Sequence, residues 1–81
     1  MLDGKIEMFG PAVYRVRVHG HLPLDWSELL MGMNITISDT EHRQFSTLVG
    51  RLPDQAALAG LLTTLYERHF PIVSVECLEL G

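Results

Sequence analysis

The chain is short of cysteine, of positive charge and of long apolar runs, and each shortage removes a class of function. Cys77 is the one cysteine, so no internal disulfide can form. The alternation Val73, Val75, Cys77 predicts a buried small hydrophobe rather than a reactive thiol. Six basic residues against ten acidic ones leave a formal net charge of −4. Six dispersed cations on an acidic chain make a poor nucleic-acid clamp. No apolar run approaches the roughly 18 residues of a membrane span. The start, Met1-Leu2-Asp3-Gly4-Lys5-Ile6-Glu7, mixes charge early and has no apolar signal core. The expected compartment is the cytoplasm, with neither nucleic acid nor membrane as partner. Catalytic sets are missing as well. Ser27 and Glu28 are adjacent, and adjacent helix residues do not face each other. No catalytic residue, metal or cofactor is expected, and the balance leans against an enzyme.

What is present is apolar content. Leu, Ile, Val and Phe supply 26 of 81 residues, far above the roughly 20% at which chains stay disordered. That implies one small domain, which buries only about 60–65% of its unfolded surface.

Residues 1–12 carry little pattern and read as a flexible arm, or as a strand that orders only against a partner. Residues 13–81 read as the domain. Tyr14, Val16 and Val18 alternate with Arg15, Arg17 and His19, the period of a half-buried strand. Asp25 and Glu28 have capping-box spacing, which predicts a short helix from Trp26 to Met31 stopping at Gly32. Asn34 to Ser38 and Gln44 to Val49 read as a hairpin. Phe45, Thr47 and Val49 compete with Leu48 for its buried face, and a bulge near Gly50 would reconcile them. Asp54 caps the strongest helix, in which Leu58, Leu61, Leu62 and Leu65 share a face. Pro71 ends it, and Ile72 to Leu80 forms a last strand. Strand, helix, strand, strand, helix, strand is the ferredoxin-like α+β sandwich, β-α-β-β-α-β, with antiparallel sheet order 4-1-3-2.

Two surfaces follow from that fold. With the first and third strands read as parallel, both helix N-termini fall at one sheet edge. His21, Trp26, Ser27, Glu28, Arg51, Asp54 and Gln55 then form a candidate ligand-binding edge, suited to an anion. Plain capping by Asp25 and Asp54 explains the same residues without a ligand. The second surface is the sheet face free of helices. It carries Arg15, Arg17, His19 and Glu76, with Phe45, Thr47 and Val49 as possible apolar members. Cross-strand ion pairing is the plain reading, and a self-association interface is the sharper one. His19 and His21 could share a face and a metal, but a zinc site needs further ligands and none lies near. Trp26, at a helix start, reads as a cover over the core edge.

Several blocks carry a resemblance: Tyr14-Arg15-Val16-Arg17-Val18-His19-Gly20-His21-Leu22, Trp26-Ser27-Glu28, Asp54-Gln55-Ala56-Ala57-Leu58 with Gly60-Leu61-Leu62, and Ser74-Val75. Together they resemble a family of small bacterial proteins of unknown function, over about residues 14 to 75. Two departures are Ala59, where that pattern has a histidine, and Leu29, where an aromatic is usual. The resemblance implies a fold and no activity. The expectation is therefore a small interaction or regulatory module acting as a homodimer, with a protein partner conceivable. The alternative is a small-molecule or anion-binding protein, conceivably an enzyme, using the helix-end edge.

Overall fold

The computed structural model describes residues 10–80, so the expectation for residues 1–9 lies outside the described residues. Four strands form one antiparallel sheet: β1 (Ala12–His19), β2 (Asn34–Asp39), β3 (Gln44–Leu52) and β4 (Ile72–Leu80). Ala12 already pairs with Leu52 and Leu80, so the first strand starts one residue before the expected boundary. The sheet order is β2-β3-β1-β4, with β1 and β3 central. One helix, α1 (Gln55–Glu67), crosses one face.

The ferredoxin-like reading is wrong in its helices, because α1 is the single α-helix among the described residues. The expected helix from Trp26 to Met31 is a three-residue 3-10 turn, Leu24–Trp26, followed by irregular turns. Pro23, not Asp25, takes the N-cap position, and no side chain caps it. Met31 and Gly32 both have positive φ, near 62° and 73°, which ends any right-handed run. A six-residue helix is also marginal on its own. Burial decides instead: Leu22, Leu30 and Met33 all reach the core from this segment. It thus covers the sheet as an irregular layer where a helix was expected.

The core lies between the sheet and this mixed layer. β1 contributes Ala12, Tyr14, Val16 and Val18; β3 contributes Leu48 and Leu52; α1 contributes Leu61 and Leu65. Phe45, Thr47 and Val49 face the other way, and β3 pairs with β1 without a break through Gly50. The expected bulge at Gly50 is therefore absent. A Cβ at Gly50 would fall 2.7 Å from Met33 Sδ and 3.3 Å from Met33 Cα, so a side chain there would force the buried Met33 to shift.

Helix α1 begins with Asp54 Oδ1 accepting from the Ala57 N–H at 2.8 Å. It ends in a Schellman pattern: the Phe70 N–H donates to Leu65 O, and the His69 N–H donates to Tyr66 O. His69 fills the left-handed position at φ 67°, where glycine is normal. An L-residue there costs about 1–2 kcal/mol, partly offset by the greater entropy that glycine loses on folding. His69→Gly should therefore stabilise the domain by about 0.5–1 kcal/mol, read as a higher midpoint in urea unfolding.

Candidate functional site

The bare sheet face is built by strand register. Arg15 lies between Val49 and Glu76; Arg17 lies between Thr47 and Ser74; His19 pairs with Phe45. All seven predicted interface residues (Arg15, Arg17, His19, Phe45, Thr47, Val49 and Glu76) therefore sit on the face away from α1. Their polar groups are largely engaged with one another. Arg15 donates from Nε and Nη2 to the two Glu76 carboxylate oxygens, at 2.9 and 3.0 Å. The Arg17 guanidinium lies 5.2 Å from the Phe45 ring centroid, and His19 stacks on the same ring at 5.1 Å.

The Arg15 hydrogen bonds hold the Glu76 carboxyl below its ordinary value of 4.5, and the same bonds raise Arg15. A depressed carboxyl contributes stability above its unfolded value and loses it as pH falls through the folded one. Glu76→Gln should accordingly be less stable than wild type at pH 7. The two unfolding midpoints should converge as pH falls through the lowered Glu76 value, and a gap that persists in acid would rule out the ion pair as its source.

The candidate ligand edge comes apart. β1 and β3 are antiparallel, not parallel. The end of β1, at His19, lies against Phe45 at the start of β3; the end of β3, at Leu52, lies against Ala12. Arg51, Asp54 and Gln55 thus sit a full strand length from His21, about 20–25 Å at ~3.3 Å per residue. Asp54 is engaged as the helix cap. Trp26 packs edge-on to Phe70 at 5.7 Å, with the Arg68 guanidinium 5.4 Å from its ring, at the C-terminal end of α1. Ser27 Oγ donates to Met33 O, and Glu28 is exposed. Two helix N-termini do not meet here, since the first helix does not form. His19 and His21 also part company. Gly20, at φ 95°, ends the strand period between them, and His21 Nε2 contacts Asp39 Oδ1 at 2.6 Å. Among the described residues no group of three or more His, Cys, Asp or Glu side chains could hold a metal ion.

Three features lay beyond the sequence reading. One is the His21–Asp39 pair, beside a shallow hollow of about 600 Å³ lined by Gly20 and the hairpin turn. Another is Ser46, buried at the heart of the sheet, where its Oγ accepts from Leu22 N–H at 2.8 Å and donates to Gly20 O at 2.7 Å. The third is the flank of β4. Ser74, Glu76 and Glu79 pair with Arg17, Arg15 and Val13 on the bare face, while Ile72, Val75, Cys77 and Leu80 pair with core-facing residues of β1. Register shifts leave Val73 and Leu78 as extra residues. The two bulges thereby keep every polar side chain of β4 on one face. Yet Ile72, Val73, Val75, Leu78 and Leu80 are 38–48% exposed, because β4 is an edge strand with little above it among the described residues. Cys77 is exposed for the same reason, which corrects the expectation of burial. The doubled apolar pairs Ile72-Val73 and Cys77-Leu78 were the available signal for the bulges.

No α-helix among the described residues is long and apolar enough to cross a membrane. Comparison with curated proteins and with solved structures returns no match. One family model, described as a domain of unknown function (DUF8691), matches residues 13–76. That span holds all four strands' pairing core, α1 and the irregular cover, and on it the chain belongs to the DUF8691 family.

Proposed function

We propose that this domain is a self-associating interaction module that works as a homodimer. The observation behind the reading is the row of exposed apolar side chains along β4, an edge strand nine residues long whose outer side has no neighbour among the described residues. Soluble monomers usually blunt such edges with charge, proline or a covering element, because an open edge recruits another strand. Here the only charges on β4 are Glu76 and Glu79, both on the bare face. The predicted interface on that bare face is a weaker contender, since Arg15, Arg17 and His19 already have partners within the chain. Light scattering on the purified full chain at about 1–100 μM, a range that brackets micromolar affinity, tests the reading. Mass rising to that of two chains is expected; a constant single-chain mass would contradict it.

A further inference from the structure

The geometry of β4 points to one mode of pairing: antiparallel addition of β4 to β4 of a second copy, with the two-fold axis at Val75. This inference rests on the self-association reading and specifies its surface and register. Antiparallel partners lie directly opposite on the same sheet face, and a two-fold contact must be self-complementary. Only a few registers of the central run satisfy both conditions.

An axis at Ser74 sets core-side Ile72 against bare-face Glu76 of the partner subunit. An axis at Glu76 sets two like carboxylates opposite each other, which is destabilising. An axis at Cys77 sets core-side Val75 against bare-face Glu79 of the partner subunit, because the bulge at Leu78 has shifted the pattern. An axis at Val75 has none of these faults. Val75 meets the partner's Val75, Val73 meets the partner's Cys77, and Ile72 meets the partner's Leu78. Apolar groups oppose apolar groups at each of these positions.

That register also answers an independent observation. Ser74 Oγ is buried and has no hydrogen-bond partner among the described residues. A buried hydroxyl left without a partner is unfavourable. In the Val75-centred register Ser74 lies directly opposite the partner's Glu76. A carboxylate has about four acceptor sites, so once the Ser74 hydroxyl turns outward about its one side-chain torsion, that group can accept from it while keeping both bonds to its own Arg15. The second copy thus supplies what the described residues lack at two places: apolar cover for β4 and an acceptor for Ser74.

Disulfide trapping tests the register. Residues at the axis have Cα atoms about 4.5–5.5 Å apart, within the roughly 4.4–6.8 Å of a disulfide. The double variant Val75→Cys, Cys77→Ser should therefore cross-link to a covalent dimer under mild oxidant. Wild type should not, because this register offsets Cys77 from its copy by four residues, about 13 Å. A companion variant, Val75→Lys, should weaken dimerisation at least tenfold while keeping the wild-type circular dichroism, since Val75 is already 41% exposed. Cross-linking through native Cys77, or a dimer that tolerates Val75→Lys and resists trapping at Val75, would overturn the register yet leave self-association standing. A strictly monomeric wild type would overturn both. If deleting residues 1–9 turned a monomer into a dimer, the chain's own N-terminal segment would be the cover, and the inference would fail.

Discussion

Ser46→Ala should lower the unfolding free energy by about 2–4 kcal/mol, although it removes a single oxygen. The hydroxyl ties the buried Leu22 N–H and the Gly20 carbonyl to the start of β3. Without it the buried Leu22 N–H is orphaned, at about 1–3 kcal/mol, and the half-buried Gly20 carbonyl loses a bond worth about 0.5–1.5 kcal/mol. A domain of 81 residues has roughly 4–12 kcal/mol of stability in total, so the loss is a large share. The loss should also be local in its consequences. Leu22 anchors the start of the irregular segment, and amides of residues 20–33 should exchange faster in the variant before the sheet does. Ser74→Ala is the matched control. Its hydroxyl bonds nothing among the described residues, so at concentrations below association the change should be nearly neutral. Urea unfolding of both variants reads the contrast, and equal losses would contradict the assignment of Ser46 as the fastening point.

Leu48→Ala should cost about 3–5 kcal/mol and leave the domain close to unfolded at 37 °C. Leu48 is fully buried in the central strand β3, opposite Val16 and Ile35. Truncation removes the transfer energy of its side chain and leaves a cavity that the rigid sheet cannot close. Val75→Ala offers a comparison of another kind. Val75 faces the same layer but is 41% exposed in the single chain, so its truncation should cost less than about 1 kcal/mol at low concentration. At concentrations where the dimer forms the same truncation should cost more, because Val75 would then be covered. A Val75→Ala penalty that does not change with concentration would speak against cover by a second copy.

The sheet was legible from the sequence because alternation is a local signal. Tyr14-Val16-Val18 against Arg15-Arg17-His19 fixes the buried face of β1 without knowledge of its neighbours. The Asp54 cap and the Leu58 to Leu65 stripe mark α1 equally well. Two competing forces hid the rest. In residues 24–32 the local capping-box spacing yielded to tertiary burial of Leu22, Leu30 and Met33, and only the assembled core shows which wins. In β4 alternation set Val75 and Cys77 on the core side of the sheet, where their pairing with Val16 and Tyr14 also puts them, but no local signal shows that an edge strand leaves Cys77 exposed there.

The ligand edge failed for a different reason, one of direction. Adjacent strands in this order are antiparallel, which separates the end of β1 from the end of β3. His21 and Trp26 therefore cannot act with Arg51, Asp54 and Gln55, whatever each does alone. The bare sheet face fared better, since the register sets all seven of its predicted members side by side. What the sequence could not reveal is that Arg15, Arg17 and His19 would already be engaged there, with Glu76 and Phe45. The exposed apolar surface accordingly lies around the corner, on the edge strand.

Amide hydrogen exchange across a concentration series tests the central claim most directly. In a single chain the outward-pointing amides of Ser74 to Cys77 have no strand beyond them among the described residues and should exchange at rates near those of an open edge. Pairing with a second copy predicts that their protection rises with protein concentration, in step with the mass from light scattering, while the edge of β2 stays unprotected. Exchange in β4 that is fast at every concentration, or protection that grows on the bare sheet face or at β2 instead, would contradict the account.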